Sequence, residues 1–149
     1  MSNPVIKNLV VNRRATHQYE VLDRFEAGMV LLGSEVKSLR DSKANLGDAH
    51  VQIRPTGAWL HGLHISPYKQ ANRNNHEPLR PRQLLLHTHE ISKLRKGKAE
   101  KGMTIIPLRL YLKGSRIKVE IALAKGKKLH DKRHDLKQKQ AQRDMKRDR

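Results

Sequence analysis

Two runs of alternating apolar residues around one glycine turn constrain the fold of this chain most strongly. The apolar positions are Ile106, Leu108, Leu110 and Leu112 in the first run, and Ile117, Val119, Ile121 and Leu123 in the second. A period of two is typical of a β-strand that buries one face. Because Lys113 and Gly114 provide a turn between the runs, the pattern predicts a β-hairpin.

Shorter apolar runs predict two more hairpins upstream. Residues 49–65 contain apolar stretches on either side of the turn-forming segment 55–57. Residues 19–22 and 28–32 are expected to pair around Phe25 and Glu26. About six short strands in this part of the chain predict a mainly β fold, a small six-stranded antiparallel barrel whose closure removes exposed sheet edges.

Helices are expected between the hairpins. Ser34 can cap a short helix that turns Val36 and Leu39 inward, and Thr88 can cap a second helix. Residues 66–82 contain three prolines and several asparagines, so this segment is predicted to be a long loop.

The charge of the chain indicates a polyanionic partner. Lys and Arg number 32 against 14 Asp and Glu, which gives a net charge of +18 and a pI of about 10.7. Solubility alone needs a far smaller charge, whereas nucleic-acid binding accounts for it. One Trp, three Tyr and one Phe are too few for a sheet that stacks many bases. We therefore expect recognition of folded RNA by shape and backbone.

The last 25 residues differ from the rest. Residues 125–149 contain eleven Lys or Arg and four Asp, a net charge of +7, and the apolar residues among them are sparse. Such a segment buries too little apolar surface to offset its ordering entropy. The sequence predicts a folded RNA-binding domain over residues 1–124 and a basic tail over residues 125–149 that is disordered alone.

Several classes of protein are disfavoured. The chain has no cysteine, which excludes disulfides, thiol nucleophiles and Cys-based zinc sites. Its longest apolar stretch, residues 27–32, is too short to span a bilayer, and no signal-peptide core follows the N-terminus. A cytoplasmic location without a membrane partner is expected.

No catalytic or metal site is predicted. The histidine pairs at 61 and 64, 87 and 89, and 130 and 134 lack an evident third ligand. Glu26, Glu35 and His17 contain the groups a nuclease needs, but such residues are scattered through every basic protein. We therefore expect an RNA-binding protein that is not an enzyme and has no cofactor.

Seven segments of the chain match the motifs of a known family. In chain order they are residues 12–19, 25–28, 33–40, 82–87, 102–111, 122–128 and 131–133. These motifs resemble the SmpB family, the SsrA-binding proteins that partner transfer-messenger RNA in bacterial trans-translation. The resemblance implies an OB-like six-stranded barrel with about three helices, acting as a monomer with no small-molecule substrate. It also implies binding to the tRNA-like domain of transfer-messenger RNA and entry into a stalled ribosome. The tail would become helical in the empty messenger channel at the decoding centre of the small subunit.

The resemblance assigns roles to two sets of residues. Those expected to face transfer-messenger RNA are Asn12, Arg13, Arg14, His17, Glu26, Lys37 and Arg40. Those expected to reach the decoding centre are Lys125, Gly126, Lys127, Lys128, His130, Asp131, Lys132 and Arg133, with Met145 seating the tail helix.

Two alternatives from other classes remain open at this point. A structural ribosomal protein has the same combination of a basic core and a basic extension, but it would be bound to every ribosome. An RNA-processing enzyme using His17 and Glu26 would cleave RNA without any partner.

Overall fold

The hairpin predicted from the alternating residues is present, as two neighbouring antiparallel strands that span Met103–Lys113 and Arg116–Gly126. A computed structural model describes residues 5–127, apart from the side chains of residues 72–74. The predicted tail residues Lys128, His130, Asp131, Lys132, Arg133 and Met145 lie outside the described residues.

Strands make up most of the described chain. They are Ile6–Val11 (β1), Tyr19–Met29 (β2), Ala44–Asn45 (β3), His50–Arg54 (β4), Gly57–His61 (β5), His64–Ile65 (β6), Arg82–Leu85 (β7), Met103–Lys113 (β8) and Arg116–Gly126 (β9). The α-helices are Ala15–Gln18 (α1), Gly33–Arg40 (α2) and Thr88–Lys98 (α3), and a 3-10 helix spans Lys69–Asn74.

Seven strands form one antiparallel sheet in the order β1-β8-β9-β2-β7-β5-β4, and β3 pairs with β6 separately. The mainly β fold with three helices is confirmed for the described residues. The predicted closed six-stranded barrel is wrong. In the described chain β1 pairs only with β8 and β4 pairs only with β5, so β1 and β4 are the two edges of an open sheet. Sequence patterns missed β1 and β7, since each is short and neither alternates clearly.

The third predicted hairpin is also wrong, because residues 19–29 form the single strand β2. This strand pairs with β9 along nearly its whole length, from Tyr19 opposite Gly126 to Gly28 opposite Lys118. Phe25 and Glu26, the expected turn, are ordinary ladder residues. Neither has the conformational preference of a turn residue, and aromatic residues such as Phe25 favour strands.

A β-bulge changes which side chains of β8 face the core. Pro107 lies opposite Ile121 and Arg109 opposite Glu120, so Leu108 is an extra residue in the ladder. Leu110 therefore faces the main core, whereas Ile106 and Leu108 belong to a second apolar cluster with Ala15, Ala122 and Ala124. The prediction that all four alternating residues share one face is wrong for Ile106, which precedes the bulge, and for Leu108, which forms it.

Both longer helices lie where they are predicted, but neither Ser34 nor Thr88 is the cap residue, because α2 begins at Gly33 and α3 begins at Thr88 itself. Leu32 and His87 occupy the cap positions, and their N–H groups donate to Glu35 at 2.9 Å and Glu90 at 3.0 Å. Ser34 instead lies buried, with its hydroxyl 2.8 Å from Nδ1 of His76. Leu39 from α2 and Leu94 from α3 complete the core against the inner face of the sheet. None of the helices in residues 5–127 combines the length and apolar character needed to cross a membrane.

Candidate nucleic-acid interface

The face of the sheet opposite the core carries a row of charged side chains on three neighbouring strands, β8, β9 and β2. On β8, Arg109 donates to Asn8 of β1 at 2.7 Å and lies 3.6 Å from Glu120 of β9. Arg24 of β2 lies 3.3 Å from the other oxygen of Glu120. The row is held by ion pairs that are partly exposed, so each pair contributes little stability but fixes the orientation of its side chains.

Glu26 is the acidic centre of this face. Its carboxylate accepts a hydrogen bond from the hydroxyl of Tyr111, and Nζ of Lys113 lies 3.2 Å from its other oxygen. The hydrogen bond from Tyr111, assisted by Lys113, lowers the pKa of Glu26 despite partial burial. The carboxylate is therefore ionised at neutral pH and can accept hydrogen bonds from a ligand.

A groove lies beside Glu26 because a glycine occupies the middle of three adjacent strands. Gly28 of β2 lies between Lys118 of β9 and Leu85 of β7 in the ladder, and its missing side chain leaves space over the sheet. This Glu26 groove has a volume of about 450 Å³ and is lined by residues that include Glu26, Gly28, Thr56, Gln83, Leu85, His87 and Lys118. Leu85 remains 56% exposed although it is a large apolar residue.

Residues 12–14, the Asn12 loop, lie at a different place on the molecule. The Asn12 side chain donates to the carbonyl of Pro107 at 3.0 Å, which ties the loop to β8. Arg13 and Arg14 are exposed and line a second groove of about 410 Å³ with residues 44–47. Two exposed guanidinium groups at the mouth of a groove have the charge and the hydrogen-bond donors that phosphate binding requires.

The start of the predicted tail belongs to the sheet. Lys125 pairs with Glu20 and Gly126 with Tyr19, so β9 continues two residues past the predicted boundary at 124. The predicted boundary at residue 124 falls inside β9, because a charged residue such as Lys125 is compatible with the exposed end of a strand. The described part of the tail therefore starts from a fixed position.

The Asn12 loop and the root of the tail share one end of the sheet. Helix α1 connects the loop to β2, and it carries His17, which is half-buried. The carbonyl of Gln18 at the end of α1 accepts a hydrogen bond from the N–H of Lys127 at 3.0 Å. Glu26 lies seven residues further along β2 than Tyr19, so about 20 Å separates Glu26 from the end of β2 where the tail begins.

Lys37 and Arg40 occupy a third location, on the exposed side of α2. Nζ of Lys37 lies 5.5 Å from the centre of the Tyr68 ring, a cation–π contact that orients the ammonium group. The chain that follows α2 forms the wall of the groove beside the Asn12 loop. The seven residues predicted to face one RNA are thus spread over three regions, and Glu26 lies apart from the Asn12 loop.

The residues considered for catalysis do not form one site. Glu35 is fully buried, and its carboxylate accepts hydrogen bonds from Arg80 at 2.5 Å and from Nε of Arg82 at 2.6 Å. Glu26 is held by Tyr111, at the opposite end of β2 from His17. Within residues 5–127 there is also no group of three or more histidine or acidic side chains that could hold a metal ion.

Sequence reasoning missed Leu85 and Lys118 as residues of the interface. The sequence does carry a signal for Leu85, because Leu84 and Leu85 are consecutive in one strand and consecutive side chains point to opposite faces. Leu84 is buried, and Leu85 points to the opposite face. Lys118 lies in the predicted hairpin, but only the ladder register places it beside Glu26.

An open antiparallel sheet with a charged outer face, combined with a net charge of +18, defines a nucleic-acid-binding protein. The family described as "SmpB protein" matches residues 9–149. This chain belongs to the SmpB family, as the motifs indicated.

Individual relatives agree over almost the whole chain. An SsrA-binding protein from Thermosynechococcus vestitus is 55% identical over 143 residues, covering 95% of this chain and 94% of the relative. One from Geotalea uraniireducens is 54% identical over 145 residues, covering 97% and 94%. A solved structure described as "tmRNA-SmpB: a journey to the center of the bacterial ribosome" has a TM-score of 0.68 and 41% identity, covering 80% of this chain and 85% of the other.

Proposed function

We propose that this chain is an RNA-binding adaptor that binds transfer-messenger RNA and delivers it to stalled ribosomes for trans-translation. Membership of the SmpB family supports this function, because its curated relatives are SsrA-binding proteins. A structural relative described with tmRNA and the bacterial ribosome supports the same two partners. The adaptor works where translation takes place, in the cytoplasm, and needs neither a cofactor nor a catalytic residue.

The Glu26 groove supplies three kinds of contact for the tRNA-like domain. The Lys118 ammonium group attracts a phosphate, and the Glu26 carboxylate accepts a hydrogen bond from a 2′-hydroxyl or a base amino group. The exposed side chain of Leu85 packs against a ribose or an unstacked base. The exposure of a large apolar residue in a groove that also contains Glu26 and Lys118 is the single observation that most favours this groove as the RNA site.

The end of β2 opposite to Glu26 is the part of the surface that contacts the ribosome in this proposal. The tail leaves the sheet beside the Asn12 loop, about 20 Å from the Glu26 groove by strand geometry. A molecule bound in the groove therefore leaves Arg13, Arg14 and the tail accessible to a second polyanion. This division moves Asn12, Arg13, Arg14 and His17 from the transfer-messenger RNA surface to the ribosome surface, together with Lys125, Gly126 and Lys127.

Binding of transfer-messenger RNA by leucine variants tests the groove. Leu85→Ala removes exposed apolar surface beside Glu26. Its matched control is Leu22→Ala on β2, because the Leu22 side chain is 52% exposed and that of Leu85 is 56% exposed. We expect Leu85→Ala to weaken binding about tenfold in a gel-shift titration, which corresponds to loss of part of one buried leucine contact. Leu22→Ala should bind as the native chain does. Equal affinities for the two variants would reject the groove as the RNA site.

A further inference from the structure

The outer face of the β4–β5 hairpin concentrates ring side chains that the core does not use. His50 and His61 are cross-strand partners, and their rings stack with centroids 5.6 Å apart and an angle of 16° between planes. Trp59 lies on the same face of β5 as His61, since the residues between and beside them, Ala58 and Leu60, are fully buried. The rings therefore form an accessible surface on an edge of the sheet.

An arginine holds this surface together without an acidic partner. Nε of Arg54 donates to Gln52 at 3.1 Å, and its Nη2 lies 3.0 Å from Nε2 of His61. Its guanidinium carbon is 5.5 Å from the centre of the Trp59 ring. Elsewhere on the described surface Arg24 is neutralised by Glu120, but no carboxylate among the described residues pairs with Arg54. Its charge is therefore available to an anion.

The surface is ordered before any ligand arrives. The indole N–H of Trp59 donates to the hydroxyl of Thr56 at 3.3 Å. Burial, together with the neighbouring charge of Arg54, lowers the pKa of His61, so its neutral ring accepts the hydrogen bond from that guanidinium. Side chains that are already fixed lose little entropy on binding. Thr56 also lines the Glu26 groove, so the two surfaces are adjacent.

We propose that His50, Arg54, Trp59 and His61 form a stacking platform for unpaired RNA bases. Aromatic faces and guanidinium planes bind any exposed base, whereas bases inside a duplex are not accessible to them. Arg95 of α3, whose Nη2 lies 3.4 Å from the carbonyl of Arg54, places a second cation where a flanking phosphate would run. The two histidine rings add stacking faces to a chain that contains few Phe, Tyr and Trp residues.

Trp59 is the only tryptophan of the chain, so its fluorescence reports on the platform directly. The full-length protein is titrated with a short single-stranded oligoadenylate and, separately, with a blunt RNA duplex of equal phosphate number. The single strand should quench the emission of Trp59, and the duplex should bind by charge without quenching it. Equal quenching by both RNAs, or none by the single strand, would overturn the proposal.

Substitutions separate stacking from charge. With a labelled oligoadenylate, Trp59→Leu should weaken binding by about 5- to 50-fold, in the range for one stacked base, and Trp59→Phe should retain most of the affinity. Arg54→Gln should weaken binding more than Arg24→Gln, which changes the net charge equally. The platform is rejected if Trp59→Phe is as weak as Trp59→Leu, or if the two arginine variants are equivalent. Because transfer-messenger RNA is not the probe, failure here leaves the proposed adaptor function intact.

Discussion

The carboxylate of Glu35 lies 2.6 Å from Nε of Arg82, and both side chains are completely buried. Arg82 also donates to the carbonyl of Leu63 at 2.5 Å and to that of Pro78 at 3.1 Å. The pair thereby joins α2 to β7 and to the long loop before it. The guanidinium group therefore contacts three other segments of the chain, two of them 19 and 47 residues away in sequence, so its effect is on the tertiary fold.

Removing one partner of this pair should be costly. Arg82→Met leaves the Glu35 charge buried with Arg80 as its remaining cationic neighbour, so we expect the free energy of unfolding to fall by about 3 kcal/mol or more. Urea denaturation of the full chain measures the change. Arg24→Met, which breaks the exposed pair with Glu120, is the control and should cost less than about 1 kcal/mol. If Arg82→Met and Arg24→Met lower the free energy of unfolding equally, the buried pair stabilises the fold no more than an exposed pair does.

The same pair predicts sensitivity to acid. Burial disfavours the Glu35 carboxylate, but hydrogen bonds from Arg80, the Leu32 N–H and Arg82 outweigh it and lower the pKa below its usual 4.5. A lowered pKa in the folded state means that the contribution is complete above about pH 4.5 and is lost as the pH falls through the folded value. Stability should therefore decline more steeply below pH 4.5 in the native chain than in Glu35→Gln. Identical pH profiles for the two proteins would contradict this assignment.

Binding of transfer-messenger RNA should depend steeply on salt. If about five to eight phosphates are neutralised, affinity should fall by roughly 10³-fold between 50 and 200 mM salt, because condensed counterions are released. Titrations at several salt concentrations give the slope. A flat response would indicate that phosphate contacts are not the main source of affinity.

Truncation should separate the sheet from the tail at residue 127. Residues 128–149 contain few apolar side chains, so we expect the fragment 1–127 to unfold within about 0.5 kcal/mol of the full chain. The fragment 1–124 also loses Lys125 and Gly126, which pair with Glu20 and Tyr19. It should be less stable by about 1 kcal/mol, because those ladder hydrogen bonds are removed.

The fragment 1–127 should retain binding to transfer-messenger RNA and lose peptide tagging on stalled ribosomes. Gel shifts and a tagging assay with a truncated message measure the two activities separately. Loss of RNA binding in this fragment would show that the tail contributes to the first partner.

The tail should act through specific residues and not through charge alone. Replacing Asp131, Lys132 and Arg133 with alanine lowers the net charge by one, since one acid and two bases are removed. If these three side chains make specific contacts at the decoding centre, the variant should lose peptide tagging and still bind transfer-messenger RNA. Replacing Asp144, Lys146 and Arg147 changes the charge identically and is the matched control. Normal tagging by the first variant would reject the specific role of residues 131–133.

Local patterns predicted those parts of the fold that depend on neighbouring residues. The β8–β9 hairpin follows from alternation and a glycine turn. Helices α2 and α3 lie close to where they are expected, although Ser34 and Thr88 are not their caps. Patterns in sequence do not reveal the bulge at Leu108, because an extra residue in a ladder is defined only by the partner strand. The open sheet could not be predicted either, since β7 is short and shows little alternation.

The candidate site was less predictable than the fold. Motifs in the sequence identified Glu26 and the Asn12 loop, but their separation depends on the unbroken strand β2 between them. Leu85 and Lys118 lie 33 positions apart in the chain and meet only across Gly28. Likewise, the link between Glu35 and Arg82 spans 47 residues, and a list of charged residues does not distinguish a buried ion pair from an acid–base pair.

The unbroken strand β2 also limits how the protein can change in length. Beyond the β-bulge at Leu22, residues 23–28 of β2 pair with β9 in a regular ladder. One residue added to this segment before Phe25 would lengthen the strand by about 3.3 Å and, unless it formed a second bulge, would turn Glu26 toward the core and Phe25 toward solvent. Two added residues, matched by two in β9, would keep the faces and move the groove about 7 Å further from the tail. Within this regular segment, the spacing between the groove and the tail thus changes in steps of two residues.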